Sequence, residues 1–262
     1  MLRILSMLFI GLMIPVVGTG TEKDDHGSVS NHANWDYSKE RGPNHWGELD
    51  PAYILAAVGG SQSPIDILPS ESISADLPSL EIEAHPQALH KLNNGHTVEV
   101  ICPGAGTMRF GTHEYELRQF HFHAPSEHTI NGEHAKVELH FVHADNEGHL
   151  AVIGVLFFEG EAEHPGIWEI LADGPVLHAG DEVTVESKRV DISQLLPESL
   201  DYYTYDGSLT TPPASEGVRW FVLKQPLHLT GEQIKAIEQA YYSNNRPTQP
   251  LNARFVLTQD VN

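Results

Sequence analysis

Two short segments fix the backbone period of this chain. In Gln119-Phe-His-Phe-His123, polar and aromatic residues alternate one for one, and Val137-Glu-Leu-His-Phe141 repeats the pattern. A helix turns about 100° per residue and would scatter these side chains; only an extended strand puts residues two apart on one face. Gln119, His121 and His123 therefore project together, with Phe120 and Phe122 opposite. Glu138, His140 and Val142 share a face in the same way, and Leu139 and Phe141 point away. Asn131-Gly132, a turn dipeptide, lies between the segments, which predicts neighbouring antiparallel strands with His140 across from the His121/His123 pair.

The rest of the chain reads as more of the same. Apolar or alternating runs occur at Leu80–Glu83, Thr97–Cys102, Leu150–Phe158, Glu182–Glu186, Val218–Leu223 and Ala253–Leu257. Turn signals separate the runs, among them Asn94-Gly95, Asp173-Gly-Pro175 and Asp206-Gly207. Thr230-x-x-Gln233 is a capping box opening a helix, with Ile234, Ile237 and Tyr241 at helical spacing. Gly166–Ala172 is a weaker helix candidate. These signals predict one mainly β domain, an α+β chain with few helices, over residues 35–262.

The first twenty residues stand apart. Arg3, an apolar run from Ile4 to Val17, then Gly18, Thr19 and Gly20 have the layout of a cleaved secretory signal peptide. The run is shorter than the ~20 residues a membrane span needs. Residues 21–34 are polar and acidic and read as a flexible tail. A periplasmic or secreted protein follows, with no membrane contact after signal cleavage. Its 36 acidic residues against 15 basic ones give a formal charge of −21, which excludes nucleic acid and anionic lipid as natural partners. The single cysteine, Cys102, rules out an internal disulfide and a thiolate cluster, and its β-branched surroundings suggest a buried, inert thiol.

Seventeen histidines are the compositional outlier. Three imidazoles converging from two adjacent strands would leave a tetrahedral ion one open position, the arrangement of a catalytic zinc site. Gln119 and Glu138 each lie two residues before a candidate ligand, where an acceptor can fix the tautomer of a histidine. Two other readings stand beside this one. The histidines can be ordinary strand residues bonded to backbone. Alternatively, His121-x-His123-x-x-x-Glu127 has the ligand spacing of a cupin barrel, although Gly132 comes too early and His140 is left without a role.

The remaining segments resemble the α-class carbonic anhydrases across nearly all of residues 35–257. They are Trp35-Asp-Tyr37, Gly42-Pro-Asn-His-Trp46, Gln62-Ser-Pro-Ile-Asp-Ile67, Asn93-Asn-Gly-His96, the histidine segments, Ser208-Leu-Thr-Thr-Pro-Pro213 with Glu216 and Trp220, and Arg246-Pro-Thr-Gln-Pro-Leu251. The resemblance implies a central, largely antiparallel twisted sheet of about ten strands with peripheral short helices. It also implies a zinc-dependent lyase that hydrates carbon dioxide reversibly to bicarbonate and a proton by attack of zinc-bound hydroxide. A catalytically silent binding or adhesion module on the same fold is the alternative, but such relatives lose zinc histidines and none is lost here.

By the same resemblance, His121, His123 and His140 bind Zn2+, with Gln119 and Glu138 behind them. Thr210 and Glu127 form a gatekeeper pair, and Thr211 contacts substrate. Val142, Val152, Leu209 and Trp220 wall an apolar CO2 site, His96 is the proton shuttle, and Tyr37 and Asn94 hold relay waters. His128 and His143 are expected to face away from the metal and make structural hydrogen bonds, while His26 and His32 are solvated. CO2 and bicarbonate are the small-molecule partners, and the chain is a monomer or a homodimer. Three departures stand out. Many secreted relatives carry a disulfide from the Thr-Thr-Pro-Pro loop to the region of residues 56–60; here Ala214 stands in the loop and no cysteine lies opposite, so packing alone should hold it. Glu99 replaces a more usual amide near the relay waters and is expected to raise the pKa of the shuttle. Ala124, in place of a bulky aromatic, suggests a bacterial-type chain.

Overall fold

A computed structural model describes residues 33–171, 178–241 and 243–259. The expected signal peptide, most of the acidic tail and the Asp173-Gly-Pro175 turn lie outside these residues. Within them, ten strands form the continuous path of the main sheet: β1 (Ile73–Ala75), β2 (Gln87–Asn93), β3 (Val98–Ile101), β4 (His113–His123), β5 (Val137–Ala144), β6 (Leu150–Glu159), β7 (Glu182–Val190), β8 (Tyr202–Ser208), β9 (Glu216–Leu223) and β10 (Leu257–Gln259). Their spatial order is β7-β2-β3-β4-β5-β6-β9-β8-β10-β1, and only the β6/β9 and β10/β1 pairs on that path are parallel. Three further strands, Leu80–Ala84, Gly106–Phe110 and Leu227–Leu229, attach beside the path. The sheet is mixed and mostly antiparallel, as the family resemblance implied.

The alternation read from β4 and β5 holds. His140 is the direct cross-strand partner of His121, and Glu138 of His123. Phe120, Phe122, Leu139 and Phe141 point to the other side, into the larger hydrophobic cluster. Burying each contributes about 2–3 kcal/mol, so the register is strongly specified: a one-residue slip would turn the histidines into the core. The Asn131-Gly132 turn does not join β4 to β5 directly. It closes a miniature hairpin, Thr129–Ile130 with Glu133–His134, inserted between them.

Four short helices pack at the periphery: α1 (Trp46–Leu49), α2 (Leu55–Val58), α3 (Pro165–Leu171) and α4 (Gly231–Tyr241). At α4 the capping box forms in both directions, Gln233 N–H donating to Thr230 Oγ1 and Thr230 N–H to Gln233 Oε1, each at 3.3 Å. Ile234 and Ile237 are buried, while the side chain of Tyr241 lies outside the described set. No described helix is long and apolar enough to cross a membrane. Two sequence readings need correction. Asp206-Gly207 is not a turn but the interior of β8, where a side chain at Gly207 would collide with Ser63 Oγ and Trp220. Residues 253–256 are not strand; β10 begins at Leu257.

Candidate active site

The site is built on the polar face of β4 and β5. The ring centroids of His121, His123 and His140 lie 4.6–5.4 Å apart, and one nitrogen from each lies within 4.8 Å of the other two. What settles their chemistry is where the opposite nitrogens go. His121 Nδ1 is 2.8 Å from Gln119 Oε1, His123 Nδ1 is 2.6 Å from the carbonyl of Asn244, and His140 Nε2 is 2.9 Å from Glu138 Oε1. A carbonyl and a carboxylate only accept, so these nitrogens carry the protons. Three lone pairs are left facing inward, and His123 Nε2 is buried with no hydrogen-bond donor among the described residues.

Burial keeps all three imidazoles neutral: it holds His121 well below the usual histidine range, takes His123 down to about 4, and lowers His140 as well. Three neutral donors with one orphaned buried nitrogen fit a divalent cation of zinc's preference. A second triad of potential ligands, His128, Glu138 and His140, offers no such vacancy. Burial would push the Glu138 carboxyl up, but His128 and His140 outweigh it and hold it well below its ordinary range. Its oxygens accept from Glu127 N, His128 N and His128 Nδ1 at 2.7–2.8 Å, besides facing His140. A side chain on Gly154, the cross-strand partner of His140, would crowd that carboxylate.

Beside the triad, Glu127 is fully buried. Its Oε1 accepts from Arg246 N at 2.8 Å, its Oε2 lies 3.5 Å from His123 Nε2, and the nearby Thr210 hydroxyl helps to stabilise its charge. Burial takes its pKa up to about 7 against the pull of His140, Arg246 and Thr210. The cupin assignment fails here, since the third inward nitrogen belongs to His140 and Glu127 is engaged by the other two groups.

A cavity of about 120 Å³ opens above the triad. Val142, Val152, Leu209 and Trp220 form one wall; Val142 pairs with Val152, and Val152 with Trp220, across neighbouring strands. Thr210 and Thr211 line it as expected, as do Gln119, Tyr37, Asn94 and His96 on the wetter side. Gly95, at φ +90°, turns the chain so that Asn94 Oδ1 accepts from His96 N and Thr97 N, both at 2.9 Å. The His96 ring stacks on Trp35 at 3.5 Å and 11°. Burial lowers its pKa, and the charge opposing that shift is Asp36. Glu99 instead accepts from Asn94 Nδ2 at 2.8 Å. The expectation that Glu99 raises the shuttle's pKa is therefore not met.

The family profile described as eukaryotic-type carbonic anhydrase matches residues 41–260. The chain belongs to that family. It is 40% identical over 229 residues to a carbonic anhydrase of Nostoc sp., covering 86% of this chain and 85% of that one. A carbonic anhydrase of Neisseria gonorrhoeae is 40% identical over 231 residues, covering 87% and 88%. Among solved structures, the α-carbonic anhydrase of Thermovibrio ammonificans in complex with sulfanilamide superposes with a TM-score of 0.82 at 44% identity, covering 86% of this chain and 99% of that one. The His121–His123–His140 triad fits the zinc site of such a carbonic anhydrase, and reversible CO2 hydration is the activity of the chain.

Sequence reasoning missed several parts of this carbonic anhydrase site. His128 makes the structural hydrogen bonds expected of it, but their partners were not foreseen: it links Glu138 to Tyr205, whose hydroxyl is 2.7 Å from His128 Nε2 and bonds Ser63 Oγ at 2.9 Å. Asn244 acts through a backbone carbonyl, which no residue type announces. Trp35 was visible only as part of a segment, without its place on His96. Ala33, expected in the tail, is anchored: its N–H donates to Asp50 Oδ2 at 3.0 Å and its carbonyl accepts from Tyr53 at 3.1 Å. The loop without a disulfide is held by hydrogen bonds as well as packing, since Gln62 Nε2 donates to the Ala214 carbonyl at 3.0 Å.

Proposed function

We propose a division of labour in which His121, His123 and His140 hold zinc, Glu127 and Thr210 orient the attacking oxygen, and His96 exports the proton. Bound zinc supplies the positive charge that lets water ionise near pH 7, a value known from carbonic anhydrases rather than derived from this site. Neutral histidines leave that charge undiminished. The Thr210 hydroxyl donates to Glu127, so its oxygen has only acceptor capacity left toward the cavity. An oxygen nucleophile must then donate to Thr210, which turns its lone pair toward the wall of Val142, Val152, Leu209 and Trp220. That wall offers carbon dioxide apolar contact and no competing hydrogen bond. Thr211 is placed to bond bicarbonate as it forms. His96, on its Asn-Gly turn at the mouth, takes the proton through waters ordered by Tyr37 and Asn94 and passes it to buffer.

The observation carrying this reading is the convergence of three inward ring nitrogens whose outer partners are all acceptors. Stopped-flow CO2 hydration with zinc stripped and restored tests it: turnover must vanish with the metal and return with it. Turnover that persists in verified metal-free protein, or its absence in a folded, zinc-loaded one, overturns it. We also assign residues 1–20 as a signal directing export to the periplasm or medium, and 35–262 as the catalytic domain in a monomer or homodimer. N-terminal sequencing of the exported protein and its sedimentation behaviour test those assignments.

A further inference from the structure

The two halves of the gate lie far apart in sequence, and one buried side chain touches the supports of both. Thr210 sits in a turn closed by Leu209 N to Ser215 O at 3.0 Å and Ala214 N to Thr211 O at 2.8 Å. Glu127 is held from the other side by the backbone N–H of Arg246. The Arg246 guanidinium is buried; Nη1 donates to Gln62 Oε1 at 2.9 Å and the Ser63 carbonyl at 2.8 Å, and Nη2 to the Ala56 carbonyl at 3.1 Å. Gln62, also buried, uses both remaining protons on the opposite side: Nε2 donates to the Ala214 carbonyl and, at 3.1 Å, to Glu216 Oε1. Glu216 Oε1 in turn accepts from Ser61 N at 2.7 Å.

The orientation of this amide is forced. Turned over, it would set its NH2 against a guanidinium and its oxygen against a carbonyl and a carboxylate. Glutamate can serve Arg246 but cannot donate to Ala214, and methionine can do neither. We propose that Gln62 is a positioning residue for the hydration reaction, coupling the Thr210 turn to the Arg246 strap so that Thr210 and Glu127 keep one alignment. This inference rests on the gate reading of Thr210 and Glu127 given above.

The test compares Gln62→Glu and Gln62→Met in the zinc-loaded protein, with Thr210→Ala as the control for the gate itself. Both Gln62 variants should lower kcat/KM for CO2 about tenfold, the worth of one buried hydrogen bond. Zinc content should stay at one per chain, and kcat, limited by proton export through His96, should move less than twofold. Amide exchange separates the arms. Gln62→Met should speed exchange at both Ala214 and Arg246, and Gln62→Glu at Ala214 alone. Unchanged kcat/KM, or equal losses in kcat, kcat/KM and zinc, overturns the proposal. If Thr210→Ala also leaves kcat/KM unchanged, the gate reading fails; if only the Gln62 variants are silent, the coupling alone fails. Should either Gln62 variant not fold, exposed Glu216→Ala decides, with faster Ala214 exchange and about threefold lower kcat/KM expected. No change there overturns the coupling.

Discussion

The floor and the mouth of one cleft are built on opposite principles. At the floor, His123, His140 and Glu138 are at most 1% exposed on long strands whose reverse faces are core, and Glu127, 0% exposed, lies in the loop that follows the first of them. Most of their polar groups that do not face the metal site lie against fixed acceptors and donors. At the mouth, His96 rides a glycine-containing turn and leans on a single tryptophan. The difference follows from what each must do. On the proposed roles, a metal ligand must not move or charge, whereas a shuttle must do both, so the first belongs on a strand and the second on a loop.

The largest expected effect breaks the floor. His140→Ala removes one inward nitrogen and the partner of Glu138, and zinc retention and CO2 hydration should both be lost, as read by metal analysis and stopped flow. Intact turnover with stoichiometric zinc would show that the triad is not the binding set. His96→Ala breaks only the mouth. Here kcat should fall by about a hundredfold or less, since buffer partly replaces the shuttle, while kcat/KM stays constant and added imidazole restores turnover. A parallel loss in kcat/KM would place His96 in the chemical step.

How much of each region the sequence disclosed follows the same division. The floor was legible because alternation in Gln119–His123 and Val137–Phe141 specifies face and register without any fold knowledge. It failed where the strand stops: between His123 and Thr129 the chain leaves regular structure, so counting by two could not tell that His128 turns back to Glu138. Asn244 was invisible because its contribution is a carbonyl. The roles of the mouth residues came from resemblance alone, since a loop histidine looks the same whether it shuttles protons or is merely wet. Strand β8 was hidden by Asp206-Gly207, a turn signal overruled by the need for a bare backbone against Ser63.

The neutrality of the buried side also has a cost in acid. His143, just beyond the floor on β5, is buried; its Nδ1 is 3.0 Å from the Phe141 carbonyl, and burial takes its pKa down to about 4. Above the unfolded pKa of about 6.5 both states are neutral and stability is full. Between there and 4 the unfolded chain gains a proton that the folded one refuses. Stability should therefore fall as the pH drops through that window, by about 3 kcal/mol from this residue. His143→Gln should flatten that part of the pH dependence in denaturant titrations. An unaltered profile would mean that His143 can charge in place.

The smallest effect sharpens the comparison at the mouth, where burial and charge compete on one ring. Burial against Trp35 lowers the pKa of His96, and Asp36 opposes it. Asp36 is itself held at about 2, chiefly by Ser38 and then Arg41 against desolvation, so it stays charged throughout the working range. Removing that charge with Asp36→Asn should therefore shift the inflection of kcat against pH to lower pH. Trp35→Ala should shift it upward by releasing the ring to solvent. Glu99 faces the same turn, but its hydrogen bond is spent on Asn94 and burial raises its own pKa, which leaves it less often charged. Glu99→Gln should consequently leave the inflection where it is. If Glu99→Gln moves it and Asp36→Asn does not, the mouth is tuned through the Asn94 turn and not from the N-terminal arm.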